Sequence, residues 1–385
     1  MLKRRVRIFV DAEVLVAPHF SGIGHYTLEL LRGLDRLVEN RSDISVELGV
    51  FFKQASKIRS YGFRNFKIRR SPFPLRVTNA LKIRNLQPPY DLFFGKRIYL
   101  FPNFTSWPTL FSPSVPIVYD LVFERFPQYV EPRNQAFLSS QVTKAVAWAT
   151  KIVTISRNSQ EEIAEFYHIP TDKITIAYPG IEQSALFRWP VDEVEKVKRK
   201  YGVNGEYILF VGNLEPRKNL KSLLLAYEQL DKKLRDKYSL LLVGARGWLD
   251  DEIHETIERL RKDGNRIQTP NEYVHDKDRA AIFSGASLFV YPSLYEGFGI
   301  PPLEAMACGV PTITSNNSSL PEAVGDAAVM VDAQSVTELA HAMTRVLGNK
   351  KLQVGMIEKG YEQVDKFSWD NEARKLLDML LELNK

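Results

Sequence analysis

Short apolar runs alternate with amphipathic segments along nearly the whole chain of 385 residues. This alternation is typical of parallel β-sheets covered by helices, because a crossover between parallel strands usually contains a helix. We therefore predict an α/β fold. The predicted strands form two sets, the first at residues 6–10, 44–52, 98–101, 114–119 and 151–155, the second at 207–211, 239–244, 288–291 and 311–314.

The chain is longer than one hydrophobic core usually supports, so two domains are expected. The pattern breaks near residues 178–182, and residues 183–205 are polar and mostly lack a strand pattern. We assign residues 1–182 to an N-terminal and 183–368 to a C-terminal Rossmann-like domain. Two such domains leave a cleft between them, and ligands of such sheets bind beyond the carboxyl ends of the strands.

Composition excludes several classes of protein. Apolar residues make up 44% of the chain, but no apolar run reaches the roughly 20 residues that span a bilayer. The first residues of the chain are basic and then apolar, and the apolar run ends at Asp11. This pattern predicts a first β-strand rather than a signal peptide. The single cysteine, Cys308, excludes an internal disulfide and is typical of a reducing compartment. We therefore expect a cytoplasmic protein.

The positive charge is concentrated in one segment. Residues 53–97 hold twelve Lys or Arg and one acid, Asp91, interleaved with aromatic residues. Such a stretch suits an anionic membrane surface or an anionic acceptor, and it fits equally a solvated basic face. Nucleic acid is disfavoured because no nucleic-acid-binding motif accompanies the charge. If the stretch meets lipid, the protein is peripheral on the inner face of the cell membrane.

The richest motif is Glu296-Gly-Phe-Gly-Ile-Pro-Pro-Leu-Glu304, in which two carboxylates lie eight positions apart after an apolar strand. Gly297 and Gly299 permit close approach of the backbone to a ligand, and Pro301 suits the first turn of a helix. Free amides at that helix start suit a diphosphate, with Glu304 placed to accept from sugar hydroxyls. The spacing alone fits equally a loop with surface acids.

A second motif, Gly212-Asn-Leu-Glu-Pro-Arg-Lys218, puts two cations directly after a buried strand. Arg217 offers a planar fork and Lys218 a compact charge for phosphate oxygens. Such cations would stabilise negative charge on a leaving diphosphate. Together with the paired carboxylates, they predict a nucleotide-sugar site.

The first domain carries weaker signals. Gly22 and Gly24 lie in a predicted loop before a helix at 26–34, where they could approach a diphosphate. His25 is more typical of a loop histidine than of a catalyst. Asp120 could accept a hydrogen bond from an acceptor hydroxyl, and Tyr119 before it could contact a sugar. No cluster of His, Cys or acids has the spacing of a metal site.

These motifs resemble the GT4 family of retaining GT-B glycosyltransferases, most specifically over residues 208–332. The resemblance implies two Rossmann-like domains facing each other, with the C-terminal helix 369–385 packed back on the acceptor-binding N-terminal domain. It also implies a metal-independent, retaining enzyme without a cofactor, in which Tyr119 replaces a histidine common in relatives. The donor-binding residues that it implies are Gly22, Gly24, Gly212, Arg217, Lys218, Tyr273, Val274, Glu296, Gly297, Phe298, Gly299, Ile300 and Glu304; Glu296, Asp120, Arg217 and Lys218 are the candidate catalytic residues, with Tyr119 and His25 on the acceptor or sugar side.

The motif strings look most like bacterial mannosyl- and rhamnosyltransferases of surface-polysaccharide assembly. This resemblance implies GDP-mannose as donor and a lipid-linked glycan as acceptor. dTDP-rhamnose and UDP-sugar donors stay open, as does a glycogen- or sucrose-type synthase acting on soluble acceptors. A non-catalytic nucleotide-sugar-binding protein is an alternative of another class.

Overall fold

The computed structural model describes residues 5–16, 22–50, 54–71, 75–84, 86–182, 185–247 and 249–384, except the side chains of residues 75, 76 and 79. The chain divides into two compact units. Unit 1 comprises Met1–Gly180 and Ser368–Lys385, and unit 2 comprises Ile181–Phe367. The strand pairs in both units are parallel, so the predicted α/β fold is confirmed.

Unit 1 is built on a five-stranded sheet of order β3-β2-β1-β4-β5, followed by a separate pair β6-β7. A parallel bridge between Ile117 and Val153 lies just beyond β5 and links its segment to β6. The strands are β1 Val6–Asp11, β2 Ile44–Val50, β3 Phe66–Arg70, β4 Ile98–Phe101, β5 Ser114–Pro116, β6 Ile152–Thr154 and β7 Ile174–Ile176. The helices are α1 Gly22–Leu37, α2 Ala55–Ser60, α3 Leu75–Ile83, α4 Asp91–Phe94, α5 Val122–Arg125, α6 Pro132–Trp148, α7 Arg157–Tyr167 and, from the end of the chain, α17 Trp369–Glu382.

Unit 2 is built on a six-stranded sheet of order β10-β9-β8-β11-β12-β13. The chain runs from β8 to β9 and β10 on one side and returns to β11 on the other, so the direction of winding reverses between β8 and β11. The strands are β8 Glu206–Val211, β9 Tyr238–Val243, β10 Ile267–Gln268, β11 Ala286–Tyr291, β12 Thr312–Ser315 and β13 Val329–Val331. The helices are α8 Val191–Lys200, α9 Leu220–Glu228, α10 Lys232–Lys237, α11 Asp251–Lys262, α12 Asp276–Ser284, α13 Ile300–Ala307, α14 Leu320–Val324, α15 Val336–Gly348 and α16 Lys350–Val364.

Helix α17 belongs to the core of unit 1. Its buried side chains include Leu376 and Leu380, and it lies against α1. The approach is close, because a Cβ on Gly33 of α1 would lie 2.7 Å from the Cβ of Ala373. A larger residue at position 33 would therefore force the two helices apart.

Several local predictions were wrong. Helix α1 begins at Gly22, so Gly22, Gly24 and His25 lie in its first turns and not in a loop. β5 is shorter than the predicted strand at 114–119, and among the described residues four strands, β3, β7, β10 and β13, were not predicted. Residues 51 and 52 of the second predicted strand lie outside the described residues.

Within the described parts of the chain, no helix has the length and apolar character needed to cross a membrane.

The α17 contact gives a stability prediction. Replacing Leu376, which is fully buried, with Ala should lower the free energy of unfolding by about 3 kcal/mol, because the side chain leaves a cavity. Urea unfolding followed by circular dichroism measures the change. Arg374→Ala on the exposed face of the same helix is the control and should change it by less than about 0.5 kcal/mol. Equal effects of the two substitutions would contradict the packing described for α17.

Candidate functional site

The turn after β11 carries the first carboxylate of the paired motif. The chain leaves β11 at Tyr291 and enters α13 at Ile300, with Glu296 in the turn between them. Gly299 forms the N-cap of α13 at φ +108°, and a Cβ there would lie 2.6 Å from Leu320. Both facts require glycine at this position. The turn therefore fixes where Glu296 stands relative to α13.

The turn after β8 carries the two cations. Arg217 and Lys218 lie in a single 3₁₀ turn, Pro216–Lys218, which ends at Asn219 in the left-handed conformation. The Asn219 side-chain amide donates to the carbonyl of Pro292 at 3.0 Å, and the amide of Leu294 donates to the carbonyl of Arg217 at 2.9 Å. These bonds join the β8 turn to the β11 turn at the point where the winding of the sheet reverses.

The joined turns bring Glu296 between both cations. Lys218 Nζ donates to Glu296 Oε1 at 2.6 Å and to the Tyr291 hydroxyl at 2.7 Å. Arg217 Nη1 donates to Glu296 Oε2 at 3.0 Å, while its Nη2 donates to Glu215 at 2.6 Å. Glu296 and Lys218 are 7% and 8% exposed, so these charges interact in a largely dry environment.

Charge pairing overrides burial at Glu296. Burial alone would raise the pKa of this carboxyl, but the charges of Arg217 and Lys218 lower it to about 2. Burial lowers the pKa of Lys218, while the Glu296 charge opposes that change. Two cations face two anions, Glu296 and Glu215, so the charges of these four residues balance when no ligand is bound.

The second carboxylate, Glu304, has a different partner. It lies in α13, is 6% exposed and forms an ion pair through Oε1 with Arg279 of α12. Its Oε2 atom is buried and has no hydrogen-bond partner among the described residues. An unsatisfied carboxylate oxygen is unfavourable, so a ligand hydroxyl at this position would be stabilising.

The remaining predicted residues of unit 2 differ in exposure. Gly212 directly follows β8, and Gly244 approaches it so closely that a Cβ on Gly244 would lie 1.9 Å from the Gly212 carbonyl oxygen. Tyr273 is 70% exposed, whereas Val274 is buried. Phe298 is buried with its ring edge-on to Phe367, while Ile300 is partly buried and the neighbouring Gly297 is buried.

The predicted residues of unit 1 differ in burial and in their hydrogen bonds. Tyr119 is buried, its hydroxyl donates to the carbonyl of Pro102 at 3.1 Å, and it lies 3.4 Å from the Thr27 hydroxyl. A contact between Tyr119 and a sugar would therefore require that hydroxyl to exchange internal partners. Asp120 Oδ1 accepts from the amide of Val122 at 3.2 Å. His25 is exposed on α1.

Several residues that position Glu296 and Glu304 were not predicted from the sequence. Ser318 Oγ accepts from the Glu296 amide at 3.1 Å, and the Ser319 hydroxyl donates to the Glu296 carbonyl at 2.8 Å. Tyr291, Glu215 and Arg279 were also missed. Glu215 lies within the second motif and Tyr291 lies five positions before Glu296, so closeness in sequence could have found both. Arg279, 25 positions from Glu304, offered no such signal.

Comparison with known proteins identifies the family. Residues 192–363 match the family model described as glycosyl transferases group 1. O-antigen chain mannosyltransferase B of Escherichia coli is 33% identical over 375 residues, covering 95% of this chain and 97% of that protein. The chain therefore belongs to the glycosyl transferases group 1 family and is a glycosyltransferase. The predicted family is confirmed.

Solved structures agree on the fold. HepE from Anabaena, in complex with UDP and glucose, has a TM-score of 0.71 at 15% identity, with 98% of this chain and 100% of that chain covered. WaaG, a glycosyltransferase involved in lipopolysaccharide biosynthesis, has a TM-score of 0.67 at 17% identity, covering 97% and 99%. The GT-B fold predicted from the sequence is confirmed.

The ion cluster predicts a pH-dependent contribution to stability. A pKa of Glu296 lowered from 4.5 to about 2 corresponds to about 3 kcal/mol of stability, fully present above pH 4.5 and lost as the pH falls towards 2. Glu296→Gln should therefore unfold more easily than wild type at pH 7, and the difference should shrink below pH 4.5. Urea titrations at several pH values measure it. A difference that stays constant down to pH 3 would contradict the pairing.

Proposed function

We propose that this chain is a retaining mannosyltransferase that transfers mannose from GDP-mannose to a glycan acceptor in surface-polysaccharide biosynthesis. The observation that carries the chemistry is the placement of Glu296 between Arg217 and Lys218 at the reversal point of the unit 2 sheet. The choice of mannose is supported by the name of the Escherichia coli relative. The guanine nucleotide is supported only by the motif strings.

The two cations act on the leaving group. As the bond between the sugar carbon and the diphosphate breaks, negative charge grows on the phosphate oxygens, and Arg217 and Lys218 stabilise it without a metal ion. The acceptor oxygen forms the new bond on the same face of the sugar, and its proton passes to the departing phosphate. Glu296 keeps both cations in place before the donor arrives.

Other residues bind the donor and acceptor. Glu304, held by Arg279, accepts from the ribose hydroxyls, and the backbone beside Tyr273 and Val274 meets the nucleobase. Gly22 and Gly24, in the first turns of α1, are candidate phosphate-binding residues of unit 1. Asp120 accepts from the acceptor, and His25 and Tyr119 contribute on the sugar side.

Lys218→Met tests the assignment of the cations. Loss of a charge that acts in the transition state should lower the transfer rate from GDP-mannose by about 10²-fold or more. The matched control is Lys232→Met on α10, an exposed lysine, which should retain wild-type transfer. Transfer by Lys218→Met at the wild-type rate would exclude the proposed role.

Thermal shifts with GDP, UDP, dTDP and ADP, with and without Mg²⁺, test the donor class. GDP should raise the midpoint of unfolding without Mg²⁺, because a ligand that binds only the folded state stabilises it. A shift with UDP alone or with dTDP alone would indicate that the donor is a sugar linked to that nucleotide rather than GDP-mannose. No shift with any nucleotide would favour a non-catalytic relative.

We further propose that unit 1 binds an anionic membrane surface, where a lipid-linked acceptor would be presented. A cavity of about 680 Å³ is lined by Arg5, Arg7, Lys96 and Arg97, and within the described chain no acid lines it. A second cavity of about 520 Å³ shares Arg97 and adds three further cations, Arg59, Arg69 and Arg70.

Apolar side chains adjoin this basic surface. Phe93 lines the second cavity and is 41% exposed, and Phe111 lines the first and is 50% exposed. Glu47 pairs with Arg69 and Arg97, so part of the charge is neutralised internally. Clustered cations beside exposed aromatic rings suit an anionic lipid surface. Of the predicted basic stretch 53–97, Lys53 and the side chain of Arg76 lie outside the described residues.

Vesicle flotation tests the membrane proposal. The protein should float with vesicles containing phosphatidylglycerol, remain unbound with phosphatidylcholine alone, and lose binding as salt is raised. Arg7→Glu combined with Lys96→Glu should weaken binding at least tenfold, since each basic residue near the surface contributes about 1 kcal/mol. Arg199→Glu on the exposed face of α8 is the control. Unchanged flotation of the double variant would contradict the proposal.

A further inference from the structure

Lys218 has two hydrogen-bond acceptors of different kinds. Its Nζ donates to the carboxylate of Glu296 at 2.6 Å and to the hydroxyl of Tyr291 at 2.7 Å. An ammonium group carries three N–H donors, and within the described residues Lys218 makes only these two hydrogen bonds. A buried donor without an acceptor is unfavourable, so a ligand oxygen that accepts from the third N–H would be stabilising.

The two acceptors fix the position of the Lys218 nitrogen. A lysine side chain is flexible, so one hydrogen bond sets the distance to its acceptor but leaves the nitrogen free to move around that acceptor. Tyr291 is the last residue of β11, whereas Glu296 lies five positions further on, in the turn. A second bond from a residue on a strand therefore removes motion that the turn alone would permit.

The Tyr291 side chain is itself held in place by packing. It is 1% exposed, and its ring stacks on Phe210 of β8 at 5.8 Å and on Phe289 of β11 at 5.9 Å. The Lys218 ammonium lies 5.2 Å from the centroid of the Tyr291 ring. Close-packed aromatic neighbours limit rotation of the side chain, so the Tyr291 hydroxyl stands at a fixed point relative to the sheet.

Tyr291 can position Lys218 without neutralising its charge. Burial, and after it the charge of Glu296, raises the pKa of the Tyr291 hydroxyl well above its usual range, so this group is neutral at pH 7. Glu296, by contrast, is an anion with which a donor phosphate must compete for Lys218. A neutral acceptor holds the lysine and leaves its positive charge unchanged.

We propose that Tyr291 is a positioning residue for glycosyl transfer, whose hydroxyl holds Lys218 so that the remaining ammonium donor meets the phosphate on which negative charge grows. The inference rests on the proposed function of Lys218 and deepens it by naming a residue that acts through this lysine. Tyr291 itself binds neither the sugar nor the phosphate. A cation displaced from such a position still attracts the donor, but it stabilises the transition state less well.

The test removes the hydroxyl and keeps the aromatic ring. With GDP-mannose as donor and octyl α-mannoside as acceptor, Tyr291→Phe should lower kcat about tenfold or more, because Lys218 is no longer held in position. The KM for GDP-mannose should stay within about threefold of wild type, because both cations remain. The GDP-induced thermal shift should also match that of wild type, which shows that the variant folds and binds the nucleotide.

Tyr207→Phe is the matched control. Tyr207 is a fully buried tyrosine near the start of β8, and its hydroxyl donates to the carbonyl of Ile282 at 2.7 Å. This variant therefore loses a comparable buried hydrogen bond at the opposite end of the strand from Lys218. It should retain the wild-type kcat.

A double-mutant cycle separates positioning of Lys218 from a general structural effect. In the Lys218→Met background, Tyr291→Phe should lower kcat by less than about twofold, because the residue that it positions is already gone. A structural effect would instead lower kcat by the same factor in both backgrounds.

The outcomes distinguish this inference from the proposed function. A wild-type kcat in Tyr291→Phe, an equal loss in Tyr207→Phe, or an equal loss in both backgrounds would overturn the positioning role. Loss of the GDP-induced shift in Tyr291→Phe would also overturn it, because Tyr291 would then contribute to nucleotide binding. Wild-type transfer by Lys218→Met, or no transfer by the wild-type protein, would instead overturn the proposed function.

Discussion

The bond between Glu296 and its two cations organises the carboxyl edge of the unit 2 sheet. The carboxylate stands in the turn after β11, and both cations stand in the turn after β8, 78 and 79 positions away in the chain. Separating such a buried pair is costly, because each charge would be left without a counter-charge in a dry environment. The geometry of both turns, and hence of the site, depends on this pairing.

In the proposed mechanism, the pairing also prepares Arg217 and Lys218 for an anionic donor. Cations that face solvent alone would attract any anion, whereas Arg217 and Lys218 are already neutralised and held at fixed positions. A diphosphate must therefore compete with Glu296 and Glu215 for them, which favours a ligand with several correctly spaced oxygens over a simple ion. Preorganised charges of this kind need little rearrangement while the reaction proceeds.

The sequence predicted the strong periodic elements and the two motifs. β1, β4, β8, β9 and β11 were recognised because each is a short buried run between helices. β10 has two residues and β3 alternates with charged side chains, so neither leaves a clear apolar pattern. The start of helix α1 was predicted at residue 26, after its observed start at Gly22. Gly22 and Gly24 are typical of loops, yet both lie within the helix.

The sequence predicted that the two motifs belong to one nucleotide-sugar site, but not how their side chains pair. No local pattern indicates that Glu296 lies between Arg217 and Lys218. Arg279 and Ser318 hold the two carboxylate positions from other segments. Such pairings follow from topology, which local patterns do not encode.

The position of α17 has a consequence for biosynthesis. Unit 1 begins with β1 but takes its last helix from residues 369–382, so all of unit 2 is inserted into it along the chain. The ends of that insertion are neighbours, since the Ile181 amide donates to the Phe367 carbonyl at 3.0 Å. On the ribosome, unit 2 can complete its fold before unit 1, whose α1 face stays uncovered until the final helix emerges.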